Sequence, residues 1–108
     1  MEDKQRINLL INILLDINEE LGARDDAAID LGGFIDKDAL NALLKVASNP
    51  EEDFIADVAG TSIATIWIGL NEFNLEDYKK LIPVAKHEVF DFIQISKPEW
   101  INLYNIER

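Results

Sequence analysis

The sequence predicts an all-α protein, a short solenoid of about six or seven helices packed as hairpins, and three observations carry that prediction. Apolar residues recur at helical spacing along most of the 108 residues. Helix start and stop signals cut the chain into short pieces, and two of those pieces resemble each other. Thr61–Ile68 is the one β-branched stretch with an ambiguous reading, and its small and apolar neighbours favour helix.

Ile7, Leu10, Ile11, Leu14, Ile17 and Leu21 fall on one helical face opposite Asn8, Asn12, Asp16, Glu19 and Glu20. That pattern predicts an amphipathic N-terminal capping helix over about 3–21, ended by Gly22. The next unit, about 23–48, pairs a helix carrying Arg24, Ala27, Ala28 and Leu31 with a second carrying Leu40, Leu43 and Leu44. Gly32-Gly33 separates them and Asp36 caps the second. Asn49-Pro50-Glu51-Glu52-Asp53 combines an Asn cap, Pro at the first helical position and first-turn acids, so a further helix starts there. It runs to about Asn71 and is slim at Ala56, Ala59, Gly60, Ser62 and Ala64, with bulk at Ile63, Ile66 and Trp67. Asn74 caps a short helix through Leu81, completing a second unit over about 50–82. Pro83 opens a capping helix to about Ser96, and Ser96-Lys97-Pro98-Glu99 resembles a capping box for a last one, so capping helices occupy about 83–107. Trp100, Ile101, Leu103 and Tyr104 are expected to seal that end.

The two units align in sequence. At an offset of 38, Asp36, Leu40, Leu43, Leu44 and Ala47 meet Asn74, Tyr78, Leu81, Ile82 and Ala85; at 32, Ala27, Ala28 and Leu31 meet Ala59, Gly60 and Ile63. A unit of this kind cannot bury its apolar faces alone and must stack, so residues 1–108 are read as a single repeat domain.

Arg24-x-x-Ala27-Ala28-x-x-Leu31-Gly32 followed by Asp36-x-x-Ala39-Leu40 and Leu43-Leu44 resembles the short HEAT-like repeats of phycobilin-lyase-type and related bacterial proteins. The second unit is degenerate: it lacks the Arg and has Gly60 for the second Ala. The stretch through Ala59–Trp67 is also similar to small stand-alone bacterial HEAT-like proteins, some associated with toxin neutralisation. Over about residues 22–101, the resemblance implies a binding scaffold without intrinsic catalysis. Its wider family allows a cofactor-handling lyase or isomerase.

Twenty-one acids face ten bases, a net charge of −11, which makes nucleic acid and anionic membranes poor partners and a basic protein a better one. Asp16 to Asp57 holds twelve carboxylates against Arg24, Lys37 and Lys45. First-turn positions explain Asp25, Asp26, Glu51, Glu52 and Asp53 through the helix dipole. The partner-binding residues expected from this concentration are Asp26, Asp30, Asp36, Asp38, Asn41, Glu51 and Glu52. The expected function is non-enzymatic binding of a basic protein, in its specific form a toxin-neutralising immunity protein. An assembly or regulatory adaptor gripping through Asp36, Asp38, Asn41 and Lys45 is the alternative.

No catalytic residue, metal ligand or cofactor is expected. His87 is the only histidine and lies on a polar helix side, so a Ser-His-Asp arrangement has nothing else to build on. Without cysteine there is no thiolate site or disulfide, which suits a reducing cytoplasm. Asp36-Lys37-Asp38 starts like a calcium loop, but Leu40 occupies the next ligand position. Gly32-Gly33 lacks any phosphate-loop context, and acid pairs such as Asp26 and Asp30 are ordinary on helix surfaces. Asn8, Asn12 and Asp16 interrupt the N-terminal apolar run, which argues against a membrane span or signal peptide. Arg24, among acids, is read as half of an ion pair between turns. Trp67 and Trp100 are read as core and end cap, and Trp100 as an interface anchor if exposed.

Overall fold

A computed structural model describes residues 2–108, among which every regular element is helical; Met1 lies outside the described residues. Helix α1 (Asp3–Leu15) buries Ile7, Leu10 and Leu14 and stops earlier than its apolar pattern implies. The Asp16 side chain accepts the Asn18 N–H at 2.9 Å and the Asp16 carbonyl accepts the Glu19 N–H at 3.1 Å. This local turn competes with continued helix, as short acidic and amide side chains commonly do. Gly22, expected to end the first helix, sits instead in the first turn of α2 (Leu21–Leu31). Ile17 and Leu21, expected on the buried stripe, are 76% and 58% exposed.

Helix α2 buries Arg24, Ala27, Ala28 and Leu31 and ends at Gly32. Gly32 has an ordinary right-handed conformation, so room and not backbone freedom explains it. A Cβ there would stand 2.5 Å from Ser62 Oγ and 3.1 Å from Ser62 Cα. Asp36 caps α3 (Lys37–Ala47) by accepting the Ala39 N–H at 2.9 Å, and this helix buries Ala39, Leu40, Ala42, Leu43, Val46 and Ala47. Asn49 accepts the Glu51 N–H at 3.0 Å, and Pro50–Glu52 forms a 3₁₀ turn before α4 (Asp53–Leu70).

Helix α4 is the axis of the molecule, packed against α2, α3 and α6 (Pro83–Ser96). Pro50–Leu70 is long and apolar enough to cross a membrane, with a mean hydropathy of 1.3. Its neighbours account for that apolarity, because Ile55, Ile63, Ile66 and Trp67 are buried among them. Two small-residue contacts bring the helices together. Ser62 donates its hydroxyl to the Ala28 carbonyl on α2 at 2.7 Å, and Gly60 lies so near α6 that a Cβ would meet Ala85 O at 2.7 Å and Ala85 Cα at 3.1 Å. Asn71 ends α4 in the left-handed region at φ 54°, where Asn is among the few tolerated residues.

Beyond α4 the second unit departs from the first. Asn74 caps α5 (Leu75–Lys80) as expected, accepting the Asp77 N–H at 2.9 Å. Pro83 then breaks the chain, so the match between residues 36–47 and 74–85 falls across two helices, and α6 provides the main packing on α4. The break also joins the units, since the Ile82 N–H donates to the Ala47 carbonyl at the end of α3 at 2.9 Å. Helix α7 (Glu99–Leu103) forms without the expected capping box: Ser96 is the last residue of α6 and Pro98 stands at the cap without a side-chain bond. Phe73 joins the elements at this end, its ring centroid 4.9 Å from Trp67, 5.7 Å from Tyr78, 6.0 Å from Trp100 and 5.2 Å from Tyr104. Trp100 is 2% exposed, which makes it a core residue and ends its reading as an interface anchor, while Leu103 faces solvent.

Gly60→Ala should lower stability by about 1–3 kcal/mol, because the colliding atoms are backbone and α4 and α6 must separate. Gly22→Ala meets nothing within 4 Å and should be neutral or stabilising by up to about 1 kcal/mol. Urea unfolding followed by tryptophan fluorescence compares the two, and equal effects would refute the close-approach account.

Candidate protein-binding face

The site is built around a buried charge. Arg24 is 2% exposed, and its guanidinium forms a two-point ion pair with Glu52, Nη1 to Oε1 at 3.4 Å and Nη2 to Oε2. Nε donates to the Leu14 carbonyl at 2.9 Å, occupying one of the acceptors left open at the end of α1. The guanidinium carbon also lies 5.5 Å from the Phe54 ring centroid. A guanidinium cannot be neutralised by deprotonation, so burial demands a fixed counter-charge, and the 3₁₀ turn supplies it by directing Glu52 inward and Glu51 outward. The expected ion pair of Arg24 is therefore present. Glu52, expected on the binding surface, is corrected: it is consumed as the partner of Arg24.

This pair holds together an end face with a mixed surface. Leu15 and Ile17 border a groove of about 160 Å³ with Val46, Lys45, Asn49 and Glu51. Leu21 and Phe54, from the first turns of α2 and α4, are also exposed. Asp16, Glu19, Glu20, Glu51 and Asp53 flank these apolar residues in the chain, and none has a cation within 4 Å among the described residues. Exposed apolar groups with unpaired carboxylates beside them in the chain suit a partner presenting apolar anchors and basic side chains.

The other expected binding residues separate into different settings. Lys4 of α1 lies 3.2 Å from Asp36 and 2.5 Å from Asp38, and Arg6 lies 3.9 Å from Asp30. These acids brace α1 against the following unit and are partly neutralised by it. Among the described residues Asp26 is exposed with no cation within 4 Å, and Asn41 lines a separate groove with Lys37, Trp67 and Glu72. Of the seven, Glu51 and the ion-paired Glu52 border the groove beside Leu15 and Ile17.

Burial pushes the Asp36 carboxyl up, but the Ala39 N–H and the Lys4 ammonium outweigh it and hold its pKa below the ordinary 3.8. The hydrogen bond to Asp38 leads the causes that raise Lys4 above 10.5, against some desolvation. Both charges are fixed at neutral pH. His87 is exposed on α6, and among the described residues no group of three or more His, Asp or Glu side chains converges as metal ligation requires.

No family model, curated protein or solved structure matches the chain. Sequence reading missed Leu15, Ile17, Leu21 and Phe54 as surface groups. The available signal was Asp16-Ile17-Asn18, whose turn-forming ends put Ile17 outside a continuous helix.

Glu52→Ala leaves Arg24 buried without a counter-charge and should cost about 3–5 kcal/mol. Arg24→Met combined with Glu52→Met should cost clearly less than the two single changes together; additive losses in a double-mutant cycle would contradict the coupling. Asp36→Ala should cost about 1 kcal/mol at pH 7 through the lost cap. Because Asp36 is lowered in the folded state, its stabilisation is complete above the unfolded carboxylate range and fades as pH falls through its folded value. The gap between variant and parent should therefore narrow below pH 3.8, and a gap that widens on acidification would overturn this linkage.

Proposed function

We propose that this chain is a non-enzymatic helical module that binds a basic protein through the end face formed by Leu15, Ile17, Leu21 and Phe54 and their acidic rim. The observation that carries the reading is the exposure of these apolar residues beside unpaired carboxylates, on a frame fixed by the buried Arg24–Glu52 pair. Apolar anchors supply the desolvated centre that resists dissociation, and the rim accelerates encounter. The HEAT-like resemblance supports the specific version, a bacterial cytoplasmic immunity protein that occludes the basic surface of a toxin. It moves the expected contact from the Asp30, Asp36 and Asp38 side, where Lys4 and Arg6 already offset the acids, to the face around Glu51.

An assembly adaptor is the second reading. Ile95 on α6 and Leu103 on α7 favour it, being strongly exposed apolar residues outside the acidic segment.

Reversing Glu19, Glu20, Glu51 and Asp53 to Lys should abolish capture of a basic partner from host lysate, with circular dichroism unchanged. With that partner isolated, the wild-type on-rate should fall about tenfold or more between low and physiological salt. Ile17→Ser should speed dissociation by about tenfold, as loss of an interface anchor does. Equal capture by wild type and the reversed variant would reject this face, and loss on Ile95→Ser or Leu103→Ser alone would transfer the site to the adaptor reading.

A further inference from the structure

The cations of this chain are as unevenly placed as its acids. Lys4, Arg6, Arg24, Lys37 and Arg108 each have a carboxylate within 4 Å. Among the described residues, Lys45, Lys79, Lys80, Lys86 and Lys97 have none, although acids outnumber bases two to one. Lys79 and Lys80 close α5, where a helix dipole welcomes positive charge. Lys86 is different: it stands near the start of α6, where the dipole opposes a cation, and its ammonium lies 5.7 Å from the Tyr78 ring centroid.

Lys79, Lys86 and Arg108 line one groove of about 360 Å³, with Leu75, Tyr78, Asn105 and Glu107. The Tyr78 hydroxyl donates to the Glu107 carbonyl at 2.6 Å and fixes the closing segment against α5. Burial pushes that phenol up to about 12, against a lowering by Arg108, so the donor stays protonated at physiological pH. Arg108 is held by Asp91 at 3.1 Å through Nη2, leaving the remaining guanidinium donors for other acceptors. The groove therefore presents three cationic side chains and an amide, with Glu107 in its lining and Asp91 pairing Arg108 from beside it, in a volume at the lower end of those that take small molecules.

We propose that this groove binds a small phosphate monoester, its dianionic group held by Lys79, Lys86 and Arg108 and its short polar body lying against Asn105. Phosphate suits the set because its oxygens accept from a guanidinium fork and from two ammonium groups together. The volume exceeds what inorganic phosphate fills, and Lys79 and Lys86, with no carboxylate within 4 Å among the described residues, favour an anionic ligand. The net negative charge of the chain does not forbid the site, since at physiological salt the field of distant carboxylates is screened within about 8 Å. None of these residues belongs to the acidic end face, so the two sites stand or fall separately.

The test is an amide NMR titration of the whole chain with glycerol 3-phosphate, inorganic phosphate and glycerol as separate probes. Glycerol 3-phosphate should give saturable shifts confined to residues 75–86 and 105–108, inorganic phosphate should bind at least about threefold more weakly, and glycerol should give none. Lys79→Glu with Lys86→Glu should weaken glycerol 3-phosphate binding about tenfold or more, whereas Lys45→Glu, at the remote unpaired lysine, should leave it unchanged. Equal affinity for inorganic phosphate, an absence of saturation, or insensitivity to the double charge reversal would each overturn the proposal. The double variant's native spectrum outside the groove confirms that it is folded.

Discussion

Burying one guanidinium constrains most of the N-terminal half of this protein. Arg24 reaches the end of α1 through the Leu14 carbonyl, the 3₁₀ turn through Glu52 and the start of α4 through the Phe54 ring. Two stretches of chain far apart in sequence, the end of α1 and residues 52–54, are thus fixed to one charge on α2. A buried ion pair is a poor source of net stability, because desolvating both ions offsets most of their attraction. Its value here is positional: a shifted 3₁₀ turn leaves the guanidinium without its counter-charge, and a shifted α1 leaves its Nε–H without an acceptor. The same demand explains why Glu51 and Glu52, neighbours of identical chemistry, end on opposite sides of the surface.

The second constraint is distance. Helix α4 serves as the core for α2, α3 and α6 together, and large side chains on every face would hold those helices apart. Ala28, Gly32 and Ser62 on one side, and Gly60 and Ala85 on the other, let backbones approach, with the Ser62 hydroxyl satisfied by a helix carbonyl. Bulk is kept for the positions between them, at Ile55, Ile63, Ile66 and Trp67. Where α3 ends and α5 gives way to α6, the Ala47–Ile82 hydrogen bond carries the connection that a longer second helix would otherwise make.

The sequence made much of this legible because caps and stops are local chemistry. Asp36, Asn49 and Asn74 each accept the backbone bond their position implies, and the Ala27, Ala28, Leu31 pattern marks a buried helix face. What escaped depended on competition between local signals or on contacts distant in sequence. Ile17 and Leu21 continue the α1 stripe in period, but Asp16 and Asn18 form a turn that outweighs two more helical turns. The spacing of Glu52 could not reveal its role, since its partner lies 28 residues away. Pro83 marks a helix start in the sequence, yet its effect on the second unit, splitting the expected partner of α4 between α5 and α6, emerges only when the helices are packed.

These misreadings bear on function in a consistent direction. A continuous first helix would have placed Ile17 and Leu21 in the core and left the surface to carboxylates, making charge the only available recognition chemistry. With the helix ended at Leu15, the same residues become exposed apolar groups beside the buried pair, and in the binding role proposed above charge would attract and orient a partner. Carboxylates near Lys4 and Arg6 do not contribute equally, because cations of the same chain already lie close to them. Counting acids along the sequence therefore overstates one surface and overlooks another; pairing each acid with its nearest cation distinguishes the charges that brace helices from those left to act outside the molecule.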